Sequence, residues 1–294
     1  MARISGIQVA KVAHLHGHRD AVYNFVVDKE SRKIFSAGAD GYIVEWDIDN
    51  PEKGKLVLKT DEALYTISKF ENTLYAGGKK GVVYTIDASE NKLLSRIPVH
   101  QGGVFFIHPK FSGGEDGLLL DHKGQMMQSE NPLFKASGSL RCYIETESHV
   151  IVGSSDKNIY FLNKDSYNIE QVMTGHQNSV FALEFIDNIT LISAGRDAHI
   201  KAWDLKINKE VHSVPAHNYQ IKSLCYNGSF LLSSSMDKTI KIWDDKLRLL
   251  KVIDHERYQG HTNCINKVAW VDENMFVSCS DDRQLVLWKI ERMQ

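Results

Sequence analysis

The chain has 294 residues, 43% of them hydrophobic, with 35 Lys and Arg against 37 Asp and Glu and a net charge of −2. That balance lacks the basic excess of a protein that holds nucleic acid mainly through phosphates, and no apolar run reaches the roughly 18 residues a membrane helix requires. Nothing near the N-terminus resembles a signal peptide, so the expectation is a soluble, intracellular, cytoplasmic chain.

The first element in chain order is an extended run, Ile7 to Leu15, followed by Gly17-His18 and then Trp46-Asp47. The same frame returns as Gly175-His176 with Trp203-Asp204, Ala216-His217 with Trp243-Asp244, and Gly260-His261 with Trp288-Lys289. The stretch from Trp46 to Trp203 is what four steps of about 39 residues fill, so three eroded units lie between them. Register locates them, because an Asp stands six residues before each Trp: Asp40, Asp197, Asp237 and Asp282. The second unit ends at Ile86-Asp87, with Lys80 in the Asp position. The third runs from His100 through Leu118-Leu119-Leu120 to about Ser129, with Lys123 in the Asp position. The fourth ends at Leu162-Asn163 and keeps Asp156 but has neither the Trp nor the His. Units therefore end near Trp46, Ile86, Ser129, Leu162, Trp203, Trp243 and Trp288.

Each unit reads as four short strands. In the fifth, Val180 to Phe185, Leu191 to Ala194, His199 to Trp203 and Glu210 to Val214 are β-branched or aromatic-rich runs separated by turn residues such as Gly195-Arg196-Asp197. Cys142, Cys225, Cys264 and Cys279 lack metal spacing and read as reduced packing residues, three of them on strands.

These Gly-His to Trp-Asp units resemble the WD-repeat β-propeller family, strongly over four units and weakly over three. The resemblance implies an all-β chain: a seven-bladed β-propeller of four-stranded antiparallel blades, occupying residues 1–294 as one domain. Too few residues follow Trp288 for another strand. Ile7 to Leu15 is therefore expected to supply the outer strand of the last blade, joining the chain ends and leaving no unpaired edge.

A Ser stands four residues before each clear Asp. The resulting sets are His18-Ser36-Asp40-Trp46, His176-Ser193-Asp197-Trp203, His217-Ser233-Asp237-Trp243 and His261-Ser278-Asp282-Trp288. Any single trio could pass for a Ser-His-Asp triad. Four copies, each followed by a Trp at constant register, argue instead for structural networks in which every indole N–H needs a buried acceptor. The resemblance implies the order: Asp holds His, His holds Ser, Ser holds Trp. Blades two to four are expected to lack the network and to be softer. His14, His16 and His18 alternate along the closing segment, but with His18 committed elsewhere two ligands remain where a closed zinc site needs four, so no metal is expected. Nucleotide-binding loops and nucleophile elbows are also missing from the sequence, and no cofactor and no catalysis is expected.

In the family, the residue after the first apolar position of each innermost strand faces the central opening on the top surface. Those positions are Tyr23, Tyr65, Phe105, Arg141, Phe181, Lys222 and Asn266 here. The residues just before the recurring Asp reach the same face: Ala39, Lys79, His122, Ser155, Arg196, Met236 and Asp281. Aromatics with an Arg and a Lys around one opening have the makeup of an interaction hot spot. The expected function is a non-catalytic protein-protein interaction scaffold that binds peptides or proteins on this face, monomeric by itself and fit to serve as a subunit of a larger complex. Two alternatives are a small-molecule or enzymatic site at the opening, and a phosphate- or RNA-binding module using Arg141, Lys222 and Arg196 with the aromatics for base stacking.

Overall fold

Short apolar runs punctuated by turn residues fold as the repeat requires. The computed structural model describes residues 6–122 and 132–292, and in it seven antiparallel sheets of four strands each form seven blades. Their innermost strands are Val22–Asp28, Leu64–Phe70, Val104–Ile107, Leu140–Glu145, Val180–Phe185, Ile221–Tyr226 and Ile265–Trp270. Each packs on the next, and Val22–Asp28 packs on Ile265–Trp270, which closes the ring.

Blade 5 illustrates why these residues form these strands. Thr190–Gly195 is almost wholly buried and His199–Asp204 mostly so, because neighbouring blades cover both faces of the sheet. Those two strands bury Leu191, Ile192, Ala194, Ile200, Ala202 and Trp203, with Ser193 and Lys201 as their buried polar members. The outer strand Lys209–Pro215 meets solvent and is largely polar. Trp residues fill the wedges between blades: Trp288 packs with Phe276, Trp270 and Ile240 across blades 6 and 7, and Trp46 with Phe25, Leu285 and Leu287 across blades 1 and 7.

The closing strand Ile7–His16 pairs antiparallel with Gln284–Arg292, from Ile7 opposite Arg292 to His16 opposite Gln284. The first and last strands of the described chain thus share one sheet.

Blade 3 departs from expectation. Its third strand, Leu118–Asp121, ends early, and its outer strand is only Phe134–Lys135. Lys123 and Ser129 lie outside the described residues. The Asp position of this blade is held by Asp116, whose carboxylate accepts from the backbone N–H of Leu118 and makes the turn that Asp40 makes at Tyr42. Phe111–Gly114 and its turns are shorter and richer in glycine than their counterparts, which hides the register in the sequence.

Candidate functional site

In blade 1, Trp46 Nε1–H donates to Ser36 Oγ at 2.8 Å, Ser36 Oγ lies 2.7 Å from His18 Nε2, and His18 Nδ1 lies 3.0 Å from the Asp40 carboxylate. The indole occupies one acceptor site on Oγ, so the hydroxyl proton goes to His18 Nε2 and the ring's Nδ1–H goes to Asp40. The same chain runs through His176, Ser193, Asp197 and Trp203 at 2.6–2.8 Å. It recurs in His217, Ser233, Asp237 and Trp243, and in His261, Ser278, Asp282 and Trp288. Each Asp also accepts from the backbone N–H of the residue after its His, as Asp197 does from Gln177 at 2.9 Å. Burial alone would raise the Asp197 carboxyl. The His176 ring and two backbone N–H groups outweigh that and hold it below its ordinary value.

The four serines have no solvent exposure. A hydroxyl that already accepts from an indole and donates to an imidazole, out of reach of any substrate, cannot act as a nucleophile.

Blade 3 retains a network where none was expected. His100 Nδ1 lies 3.0 Å from Asp116, and His100 Nε2 lies 2.9 Å from Ser112 Oγ. His122 stands in the Trp position and places its Nε2 2.9 Å from the same hydroxyl. Burial pushes the His122 ring down to about 4, so it is neutral, and its Nε2 occupies the place of the missing indole nitrogen beside the hydroxyl. His122 is therefore inside the blade rather than on the top face, and Glu115 holds the place before the Asp. The signal was in the sequence: Ser112 precedes Asp116 by the four residues seen in every clear unit, and His122 follows it by six.

The other eroded blades substitute different groups. In blade 2 the buried carboxylate of Glu62 accepts from the Lys80 backbone N–H and from the Tyr84 hydroxyl, which burial and that carboxylate push up to about 12. In blade 4, Asp156 accepts from the hydroxyls of Tyr160 and Ser137, both at 2.8 Å.

The central opening has a common origin in all seven inner strands. In each one the ladder slips after the first residue: Val22 pairs with Gly38, the next pair is Asn24 with Ala37, and Tyr23 is left over. The same bulge falls at Tyr65, Phe105, Arg141, Phe181, Lys222 and Asn266. A bulge releases a residue from the ladder and re-aims its side chain, and all seven line one central cavity of about 460 Å³.

Around the mouth these side chains touch in sequence. Tyr23 meets Tyr65 edge-on with ring centroids 5.4 Å apart, and Tyr65 stacks on Phe105 at 5.9 Å. The Arg141 guanidinium lies 4.1 Å from the Phe105 ring centre and 5.5 Å from that of Phe181, whose ring also faces Lys222 Nζ at 5.4 Å. On the remaining arc Asn266 Nδ2 donates to Val22 O and to Asp281. Below this tier, Lys267 Nζ donates to Asn24 Oδ1 at 2.8 Å, and burial pushes its ammonium down. Sequence reasoning did not single out Asn24 or Lys267. Arg196 and Met236 do not line the cavity. Both are exposed, and the charge of Arg196 is felt at Arg141.

A larger hollow of about 790 Å³ runs between blades 4 and 5, walled by Ile151, Phe161, Phe185 and Leu205. At its edge Ser148, His149 and Glu170 align at 2.8 and 2.7 Å. Ser148 and Glu170 are exposed, and Glu170 also accepts from Asn163, so this line of groups lies open to solvent at the rim of the hollow.

The model of the family described as "WD domain, G-beta repeat" matches residues 10–47, 168–204, 208–244 and 254–289, which are blades 1, 5, 6 and 7 and half of the chain. The chain is similar to a guanine nucleotide-binding protein subunit beta-1 of Caenorhabditis briggsae, 28% identical over 127 residues. Similar matches are a G(I)/G(S)/G(T) subunit beta-1 of Homarus americanus at 28% and a subunit beta of Lymnaea stagnalis at 27%. These matches cover 42% of this chain and 37% of the length of each curated relative. Seven four-stranded blades, indole-to-carboxylate networks and the matched repeats together place the chain in the WD-repeat family of β-propellers.

Proposed function

We propose that the protein is a non-catalytic scaffold whose partners, peptides or protein surfaces, bind the top face around the central opening. One observation carries this reading: seven bulges, one per blade, send seven side chains into a single mouth that is half-buried, aromatic and cationic. Residues that only filled space there would not need release from the ladder. Half-buried aromatics beside an Arg make up the kind of surface that supplies most binding energy at protein interfaces.

The relatives are named as subunits of guanine nucleotide-binding proteins. For this chain we carry over only the general role of a subunit that joins other proteins, and we place it in the cytoplasm. None of the described helices is long and apolar enough to cross a membrane. Base stacking is less well served, because Tyr65 and Phe105 stack on each other and Arg141 and Lys222 cover the Phe181 ring.

The test is affinity capture from the native cell with the wild type and the Phe181→Ala/Arg141→Glu double variant. The expected result is loss of the captured proteins at an almost unchanged melting temperature. Retention of the same partners by the folded variant would overturn this face as the binding surface.

A further inference from the structure

Arg141 is a cation that feels the charge of Glu115 but forms no ion pair with it. Its Nε is fully buried and meets no acceptor, and among the described residues the guanidinium makes no hydrogen bond or ion pair. Buried donors are normally satisfied, and this one is not. The two carboxylates bordering the mouth are engaged elsewhere: Glu115 accepts from the Gly103 backbone N–H at 3.0 Å, and Asp281 from Asn266 at 2.7 Å. The Phe105 and Phe181 rings both lie against the guanidinium, and all three residues line the cavity. Lys222 and Arg196 add positive charge on the same side.

Resting on the scaffold reading, we propose that Arg141 is the receptor for a carboxylate, the side chain of an Asp or Glu presented by the protein partner, with Lys222 as a second and more flexible contact. A planar guanidinium lying against two rings offers two parallel N–H groups to a planar carboxylate. The same geometry excludes a cationic anchor. The Phe105 and Phe181 rings, which would hold an ammonium or a guanidinium, already face Arg141 and Lys222. A dianionic phosphate fits less well than a monoanion, because Glu115 and Asp281 border the same mouth.

A random peptide display library selected on the full chain tests this. Selected peptides should carry Asp or Glu at one fixed position and lose binding to Phe181→Ala. In a double-mutant cycle, Arg141→Gln and acid-to-amide exchange in the peptide should each weaken binding by at least about tenfold, with little further loss when combined. Arg141→Lys should recover only part of the affinity. Additive losses in the cycle, or selected peptides with a neutral, basic or phosphorylated residue at the fixed position, overturn the carboxylate assignment while leaving the scaffold reading in place. A library that yields no peptide sensitive to Phe181→Ala, or displacement of every selected peptide by single-stranded polyuridylate, overturns both.

Discussion

Blades 5 to 7 and blade 1 carry one solution to a problem that blades 2 to 4 solve in three other ways. The problem is to tie the loop before the inner strand to the turn after the second strand. In the first group a four-residue relay does it, ending on an indole that also fills the wedge between blades. Blade 3 keeps three members and replaces the indole with His122. Blade 2 reverses the direction, sending Glu62 from the loop to the turn. Blade 4 keeps Asp156 and answers it with tyrosine and serine hydroxyls. What persists is a satisfied carboxylate at each junction, and the residue that supplies it is free to change.

The comparison breaks most visibly if one relay is cut in each group. His176→Ala leaves the Ser193 hydroxyl proton without its acceptor and Asp197 without its ring N–H donor in a buried site, and should cost about 2–4 kcal/mol. Asp156→Ala leaves the exposed Ser137 hydroxyl to solvent and the Tyr160 hydroxyl with Asn158 as its remaining partner, and should cost about 1 kcal/mol. Denaturant midpoints measure both, and neither variant should lose partner binding in its folded fraction. Equal costs would mean that the relay is no stronger than its substitutes. The expectation that blades 2 to 4 are all softer narrows to blades 2 and 4, where hydrogen exchange should find the weakest protection.

A smaller effect separates blade 3 from the complete relays. His122, with its ring held near 4 when folded and near 6.5 when unfolded, is neutral in the native state at pH 7. As pH falls below 6.5 the unfolded chain takes up a proton that the folded chain refuses, so stability present at pH 7 drains away down to about pH 4. This should amount to about 1–2 kcal/mol between pH 7 and pH 5. His217 is likewise held down by burial and loses stability in the same direction. The network carboxylates are held below their ordinary value, so their contribution persists above about pH 4 and is lost only as pH falls further. His122→Trp supplies the indole of the other relays and removes one titrating group. Its stability should decline less between pH 7 and pH 5, and an unchanged slope would show that His122 is not the group responsible.

Much of this was legible in the sequence. The period gave the number of blades, and Ile7 to Leu15 was legible as an extended run, which pairs with the last strand of blade 7. The four relays followed from His, Ser, Asp and Trp at fixed spacing. Blade 3 was misread because Gly113, Gly114 and Gly117 mark a shortened hairpin, and a search keyed to Trp passes over a His that can also donate an N–H. Glu62 was invisible because it acts from the other side of the junction, outside the motif. The rim positions came from the family resemblance mapped onto the register of each unit. What register could not supply was their state: rings covering one another, and Arg141 left without an acceptor. Those are facts of three-dimensional contact between blades about forty residues apart.

The smallest predicted effect concerns a feature common to all seven junctions. The residue after the Asp position has positive φ in every blade: Gly41, Gly81, Gly117, Lys157, Ala198, Lys238 and Arg283. At Gly81 only glycine fits, since an added Cβ would run into the His100 carbonyl oxygen. Ala198 adopts φ of 61° with a side chain, at a left-handed strain of about 1–2 kcal/mol. Ala198→Gly relieves that strain but gives the unfolded chain more freedom, worth about 0.4–1 kcal/mol in the opposite direction. The net should be a gain of about 0.5 kcal/mol, read from denaturant midpoints against wild type. A loss instead of a gain would mean that the Asp197 turn already relaxes the strain through its bond to the His199 N–H at 3.3 Å. In that case the same substitution at Lys157, where the Asn158 N–H bonds to Asp156 at 3.2 Å, should also bring no gain.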